Sequence, residues 1–137
     1  MGDVLAAITS DAIDETRLEQ FVMDAGQGAL VTFRGVVRNH DHGLAVSSLE
    51  YSAHPDAARF LQDCCITIAA ETGLRVAAVH RVGCLEVGDV ALVAAVAAAH
   101  RGEAFAACEH LVDLIKQTVP IWKRQHLVDG AAEWVGL

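Results

Sequence analysis

The spacing of apolar residues along the chain predicts three helices. Apolar positions recur every three or four residues in three segments, which we interpret as helices over residues 14–25, 55–73 and 102–118. The third is the clearest, because Glu103, Glu109 and Asp113 all fall on the side opposite its apolar stripe. Pro120 ends this helix, since the residue before a proline is disfavoured in the helical region.

Shorter apolar segments predict the strands. They are rich in β-branched residues and cover residues 4–8, 29–37, 46–51, 75–82 and 90–99, with two more strands about a turn at Asp129-Gly130. The alanines of segment 90–99 would also suit a helix, but its length and its glycine-bounded start favour a buried strand.

The connections between these segments decide the fold class. Residues 38–43 are polar and predict a loop, so that strands 29–37 and 46–51 would form an antiparallel hairpin with a long connection. Residues 83–89 contain two glycines and predict a turn. Strands and helices alternate only loosely, which favours an α+β fold over a doubly wound parallel sheet.

Composition narrows the class of protein. A chain of 137 residues with 53% hydrophobic and 20% charged residues fits one globular domain, residues 1–137. We find no pattern of a signal peptide, and the longest apolar run is too short to span a bilayer, so we expect no membrane partner. Four cysteines without metal-type spacing are interpreted as buried free thiols, which favours the cytoplasm.

Charge is distributed unevenly. The net charge of −8 argues against a nucleic-acid binder, which needs a basic face. Lys116, Lys123 and Arg124 nevertheless fall within nine residues, with Arg101 shortly before them, which suggests a local anion site. A solvated cationic face is the alternative, and composition alone favours that alternative.

The two lysines could act together. Pro120 breaks the chain between Lys116 and Lys123, so both ammonium groups can face one pocket. Neighbouring cations lower each other's pKa, which makes a lysine useful for acid–base or covalent chemistry. A lysine that merely stabilises a helix C-terminus and a lysine exposed on a strand are the alternatives, and spacing alone favours them.

Two further segments offer anion-binding groups. His100 and Arg101 lie at a strand-to-helix junction, beside backbone N–H groups that attract anions, although a pair facing water is equally compatible with the spacing. Arg38 follows a strand in which Gly35 permits close backbone approach. We interpret residues 40–42 as a polar loop and expect no metal site, and we interpret residues 80–81 as structural.

Taken together, these segments resemble a known family. The stretches are, in order, GALVTFRGVVRNHDHG (28–43), LEYSAHPDAA (49–58), HRVGCLEVGDVAL (80–92), AAHRGEAF (98–105), LIKQTVPIWKRQ (114–125) and DGAAEWV. They resemble the large, catalytic subunit of molybdopterin synthase. The match covers nearly the whole chain, and the set of stretches is far more specific than any one of them.

The resemblance implies an activity, a fold and partners. The expected reaction converts cyclic pyranopterin monophosphate to molybdopterin by inserting two dithiolene sulfurs, with no cofactor. The expected sulfur source is a thiocarboxylate on the C-terminal Gly-Gly of a small ubiquitin-like sulfur-carrier subunit. The expected fold is an α/β hammerhead with a mainly antiparallel sheet. Two large subunits are expected to form a homodimer within a heterotetramer.

The resemblance also implies roles for individual residues. Lys116 is expected beside the thiocarboxylate, in acid–base or covalent transfer, and Lys123 is expected to assist catalysis and bind substrate. The other expected substrate-binding residues are Arg38, His100 and Arg101 for the phosphate and pterin, with Val36, Val37, Arg124 and Gln125 nearby.

The sequence departs from the family at several positions. Ser52 and Gln125 both stand where the family favours glutamate, and His54 replaces a frequent aromatic residue. The change at Gln125 puts its own contribution to the site in question. The main alternative to the enzyme is a non-catalytic anion-binding scaffold subunit that keeps the basic pocket; an unrelated phosphate-handling enzyme is more distant.

Overall fold

The computed structural model describes residues 3–136. Three helices and nine strands follow one another as β1 Val4–Thr9, α1 Glu15–Val22, β2 Ala29–Val36, β3 His40–Asp41, β4 Leu44–Ala53, α2 Ala57–Thr72, β5 Val76–Arg81, β6 Gly83–Glu86, β7 Val90–Ala98, α3 Arg101–Thr118, β8 Ile121–Leu127 and β9 Ala132–Gly136. Every predicted helix and strand is present, with small differences at the ends.

The first sheet has the order β1-β5-β7-β2 and is covered by helices on both faces. Helices α2 and α3 pack on one face, where Leu61 and Leu111 meet the alternate residues of β5 and β7. Helix α1 packs on the other face through Leu18 and Val22. This arrangement explains why segment 90–99 is apolar without alternation, because residues 91–98 of β7 are buried on both sides.

The second sheet has the order β3-β4-β8-β9, with β6 also paired to β4. Strand β4 carries a register irregularity between Val46 and Ser48. A small apolar cluster that includes Val37, Leu49 and Leu85 fills the space under this sheet. All the strand pairs are antiparallel except β1 with β5, so the predicted α+β fold with mainly antiparallel sheet is confirmed.

Three predictions about connections were wrong. Strands β2 and β4 do not form a hairpin; β2 pairs with β7, and β4 pairs with β3, β6 and β8. The predicted loop 38–43 instead forms its own hairpin, β3 with β4, closed by His42 and Gly43 at φ values of 49° and 78°. Positive φ at both central residues is the geometry of a tight hairpin turn. The predicted turn 83–89 likewise contains strand β6.

The structure tests the prediction made for the cysteines. Cys64, Cys65 and Cys108 are buried, whereas Cys84 is exposed, so the prediction of buried thiols was wrong for that residue. All four thiols are free. In the part of the chain that the structure describes, no helix combines the length and apolar character needed to cross a membrane.

A close backbone approach fixes the start of β2 against the end of β7. The Gly28 N–H donates to the Ala98 carbonyl at 3.0 Å. A Cβ atom at Gly28 would lie 2.6 Å from the Ala99 carbonyl oxygen, inside the contact limit. Because that oxygen belongs to the backbone, only a backbone shift could relieve the clash.

We therefore expect Gly28→Ala to lower the free energy of unfolding by about 1–3 kcal/mol. Urea unfolding monitored by circular dichroism measures this change. Gly102→Ala is the matched control, because a Cβ at Gly102 meets nothing within 4 Å and alanine favours the helix in which Gly102 lies. Equal stability of the Gly28→Ala variant and the wild-type protein would contradict the assigned constraint.

Candidate active site

A cavity of about 320 Å³ lies where the two sheets meet, beside the C-terminal end of α3. The first sheet contributes the end of β2, the end of β5 and the start of β7, and the second sheet contributes β3, β4 and β8. Strands that belong to different sheets diverge here, so side chains from many parts of the chain converge on one space.

The structure brings the two lysines to this cavity. Lys116 lies in the last turn of α3 and Lys123 on β8, and both line the space. The chain reverses between them at Pro120, whose carbonyl accepts a 3.0 Å hydrogen bond from the His54 N–H. Neither lysine forms a salt bridge with a carboxylate of residues 3–136.

The environment of Lys116 disfavours its ammonium form. Burial lowers the pKa of Lys116, and the positive charge of Lys123 lowers it further. Both causes act in the same direction, since each makes a second positive charge in the cavity harder to maintain. A larger fraction of Lys116 is therefore neutral amine near pH 7 than is usual for a lysine.

Arg38 and the end of β2 form one wall. Val36 and Val37 line the cavity, and the Val37 N–H donates to the Asp89 carbonyl at 2.9 Å. The Arg38 side chain is 65% exposed, and its Nη2 donates to the Asp41 carboxylate at 3.1 Å. Most guanidinium N–H groups of Arg38 are thus available to an anion.

Gln125 lines the cavity and is only 1% exposed. Its Nε2 donates to Oε1 of Glu133 at 2.7 Å, across the β8–β9 pair. The glutamine at this position is therefore part of a buried hydrogen bond, which gives its departure from the family pattern a local structural basis.

Three of the predicted site residues lie elsewhere in the single chain. His100 and Arg101 begin α3, about 22 Å along the helix axis from Lys116. Arg124 points to the opposite face of β8 from Lys123, and its guanidinium carbon lies 5.8 Å from the centre of the Trp134 ring. None of these three side chains lines the cavity that contains the lysines.

The sequence analysis missed three polar residues of the cavity: Tyr51, His80, and His40, which was interpreted as part of a polar loop. His80 was interpreted as structural, and it does make a structural bond, from Nδ1 to the Arg81 carbonyl at 2.7 Å. It also lines the cavity, at 2% exposure, with its ring edge-on to Tyr51 at 5.0 Å. A histidine that directly follows a run of four buried apolar residues is the feature that could have identified it.

Tyr51 and His80 are both neutral near pH 7. Burial lowers the pKa of His80 to about 4; the bond to the Arg81 carbonyl opposes this shift and the charge of Lys116 adds to it. Burial raises the pKa of Tyr51. Because a carbonyl only accepts hydrogen bonds, the proton of neutral His80 lies on Nδ1, which leaves Nε2 as an acceptor.

The cavity is therefore cationic on one side and neutral on the other. Lys116, Lys123 and Arg38 provide positive charge, whereas Tyr51 and His80 provide uncharged polar groups. No carboxylate lines the space in residues 3–136, and no group of three or more metal-ligating side chains occurs there. Such a site suits a ligand with an anionic group and an uncharged polar ring.

Comparison with known proteins identifies the family. The family model described as MoaE protein matches residues 8–118. The chain belongs to the MoaE protein family. This confirms the resemblance drawn from the ordered sequence stretches.

Similar proteins are named as catalytic subunits of molybdopterin synthase. The chain is 37% identical to the molybdopterin synthase catalytic subunit of Thermoplasma volcanium, over 98% of this chain and 99% of that one. It is 44% identical to molybdopterin synthase catalytic subunit 1 of Mycobacterium tuberculosis, over 80% and 76%. These relatives are enzymes, which favours the catalytic interpretation over the scaffold.

Solved structures agree with the fold. The crystal structure of molybdopterin synthase from Staphylococcus aureus is similar at a TM-score of 0.89, with 32% identity over 96% of this chain and 97% of that chain. A chain in a complex of subunits 1 and 2 of molybdopterin-converting factor from Helicobacter pylori has a TM-score of 0.70 at 16% identity, which supports the fold alone.

The buried histidine predicts an acid-sensitive fold. With a pKa near 6.5 when unfolded and about 4 when folded, His80 binds a proton more readily in the unfolded chain. Above pH 6.5 His80 is neutral in both states and does not reduce the free energy of unfolding. As the pH drops from 6.5 towards 4, the unfolded chain binds a proton at His80 and the folded protein does not, so the free energy of unfolding falls by about 3 kcal/mol in total.

Urea unfolding at pH 7 and pH 4.5 measures this loss. His80→Gln should show a smaller loss between the two pH values than the wild-type protein, and His110→Gln, at an exposed position, should show the wild-type loss. Should His80→Gln fail to fold, an NMR titration of His80 in the wild-type protein gives its pKa directly. A value above 6 would refute the assignment.

Proposed function

We propose that this chain is the catalytic subunit of a molybdopterin synthase. In this proposal it converts cyclic pyranopterin monophosphate to molybdopterin, taking two sulfurs from the C-terminal thiocarboxylate of a small ubiquitin-like subunit. The observation that carries the proposal is the convergence of Lys116, Lys123 and Arg38 on one carboxylate-free cavity, in a chain whose relatives are named for this activity.

The charges of the two reactants explain why three cations are needed. A cyclic phosphate diester and a thiocarboxylate are both anions, so they repel each other as they approach. Lys116, Lys123 and Arg38 offset this repulsion in a partly buried space, where electrostatic interactions are stronger than in water. The neutral side of the cavity, with Tyr51 and His80, suits the uncharged pterin ring.

The state of the cysteines supports an external source of sulfur. None of the four cysteines lines the cavity. Burial raises the pKa of Cys65 to about 12 and that of Cys108 to about 11, so these thiols are not nucleophiles at neutral pH. A sulfur-inserting reaction in this cavity therefore requires a donor that comes from outside the chain.

Lys116 is the best placed group for proton transfer or covalent transfer at the donor. Its lowered pKa makes neutral amine available, and the neutral amine can accept a proton or attack the thiocarboxylate carbonyl carbon. In the second case a C–N amide bond forms as the C–S bond breaks, and the sulfur leaves as sulfide for the substrate. Lys123 then remains as the charged neighbour that binds the phosphate and assists the reaction. Arg38 and the backbone at Val36 and Val37 complete the phosphate side.

The position of His100 and Arg101 supports a homodimer. These residues are too far from Lys116 to contact its cavity in the same chain, so a role in substrate binding requires that a second copy supply them. Arg124 does not line the cavity of its own chain either, so we propose that a second copy also supplies Arg124. With one small subunit for each large subunit, the assembly is a heterotetramer. A single domain over residues 1–137 and a cytoplasmic location also belong to this proposal.

Reconstitution tests the activity. The purified chain, mixed with thiocarboxylated partner and the cyclic precursor, should form molybdopterin, measured by fluorescence of its oxidised pterin. Lys116→Ala should lower turnover by on the order of 100-fold or more, because the proton-transfer group is lost, and Lys123→Ala should also be severe. Arg59→Ala, which removes an exposed cation of α2, is the control that should leave turnover unchanged.

The same experiment separates the enzyme from the scaffold. Wild-type turnover by Lys116→Ala would exclude the role assigned to this lysine. A wild-type chain that binds the partner and the precursor but forms no molybdopterin would instead support a scaffold subunit.

Arg38 predicts a different kinetic signature. Because its proposed role is to bind the phosphate, Arg38→Ala should raise the apparent KM for the cyclic precursor by roughly 10- to 100-fold, with a smaller effect on kcat. Arg17→Ala, at an exposed position of α1, is the control. An unchanged KM with a reduced kcat would show that Arg38 acts on the chemical step instead.

A further inference from the structure

Asp41 is a buried carboxylate that lies behind the cationic wall of the cavity. It is 5% exposed, and with His80 and Gln125 it is one of three buried polar side chains of the described chain. It does not line the cavity, but Arg38, Lys123 and Gln125, which interact with it, all do.

The carboxylate is held rigidly. Asp41 is paired with Leu44 in the β3–β4 hairpin, next to the tight turn at His42 and Gly43. Asn39, just before the hairpin, is also fixed, because its carbonyl accepts the Val46 N–H at 2.8 Å. A two-residue turn leaves the register of the pair no freedom, so the backbone of Asp41 has a defined position, and burial restricts its side chain.

The side chain of Arg38 has no comparable support of its own. It follows the end of β2 and is 65% exposed. Within residues 3–136, its side chain forms one hydrogen bond to another side chain, the 3.1 Å bond to Oδ1 of Asp41. An exposed arginine samples many rotamers, and ordering it when a ligand binds reduces affinity. A bond to a fixed carboxylate orders the side chain beforehand.

Asp41 remains charged in this environment. Burial by itself raises the pKa of Asp41, but the polar side chain of Gln125, the charges of Lys123 and His42 and the hydrogen bond from Arg38 outweigh it, so the pKa lies below its usual value. Oδ2 is buried and has no hydrogen-bond partner in the described part of the chain. This oxygen is balanced by the surrounding positive charge instead of by a direct bond.

We infer that Asp41 is a positioning residue, which uses its fixed place in the β3–β4 hairpin to hold the Arg38 guanidinium in the orientation that receives the anionic group of the substrate. The inference rests on the proposed function for the identity of that substrate. The single contact to Nη2 leaves the remaining N–H groups of Arg38 directed to the ligand.

Removal of Asp41 has two opposite effects on anion binding. Loss of its negative charge increases the positive potential of the cavity, whereas loss of its bond to Arg38 disorders the guanidinium. High salt separates them, because at 0.5 M KCl the Debye length is only about 4 Å and the longer-range charge effect is largely screened. The effect of disorder persists under these conditions.

Kinetics at 0.5 M KCl provide the first test. Asp41→Ala should raise the KM for the cyclic precursor by about 3- to 10-fold, with kcat within about 2-fold of wild type. Asp41→Asn, which keeps an oxygen acceptor, should show a smaller rise. In an Arg38→Ala background, Asp41→Ala should raise KM no further, because the effect passes through Arg38. Additive effects on KM, or a fall in kcat alone, would overturn the inference.

The matched control is Asp56→Ala. Asp56 pairs with Arg59 at 3.6 Å with the same three-residue spacing, but both side chains are more than half exposed and lie outside the cavity. This variant should leave KM and kcat unchanged. Thermal unfolding of each variant shows whether a kinetic change follows from loss of the fold.

An NMR measurement tests the inference independently of the proposed activity. The order parameter of the Arg38 Nε–Hε group should be high in the wild-type protein and fall below about 0.6 in Asp41→Ala, but not in Asp56→Ala. A mobile Arg38 in the wild-type protein, or an equally ordered one in Asp41→Ala, would overturn the positioning role. Absence of molybdopterin synthesis with the predicted change in order would overturn only the proposed function.

Discussion

Strand β7 must be buried on both faces, and the rest of the fold is arranged around that requirement. Residues 91–98 carry only aliphatic side chains, so helices must cover both sides of the sheet that contains them. The alanines at Ala94 and Ala95 let α3 on one side and α1 on the other approach closely. With β7 in the centre, β2 and β5 are fixed as its neighbours, and their ends define one wall of the cavity.

The cavity exists because the second sheet is separate from the first and meets it at an edge. Strand β4 pairs with β6 and β8, and the reversal at Pro120 returns the chain from α3 into β8. Lys116 and Lys123, which are on different elements, therefore face the same space. Neither lysine forms a salt bridge within residues 3–136, so the cavity keeps a positive potential that favours anions.

The elements could be predicted from the sequence better than their pairing could. Helix α3 and strand β7 follow from local periodicity, because burial of one face or of both faces leaves a pattern in the chain itself. The partner of β2 leaves no such pattern, and β2 was assigned to the wrong neighbour. Strand β6 was also missed, since its flanking glycines are typical of turns and its pairing with β4 is non-local.

The site shows the same division. Arg38 and the two lysines could be named because charged residues stand out in an acidic chain and match an ordered family pattern. Asp41 and His80 could not be assigned, because their importance depends on burial and on neighbours distant in sequence. The sequence does not distinguish a solvated aspartate in a polar segment from one that is buried behind cationic side chains, as Asp41 is.

No cysteine thiol lines the cavity, and this matters for the chemistry that the cavity can support. An activated acyl sulfur is readily lost to any nearby thiolate, so a protein that receives one must keep its own sulfur nucleophiles apart from it. Cys64, Cys65 and Cys108 lie in the apolar core, where burial raises the pKa of each, and Cys84 lies on β6 away from the cavity lining. Under the proposed function, this placement keeps the thiocarboxylate donor apart from the chain's own thiols, and nitrogen bases are the groups that meet it.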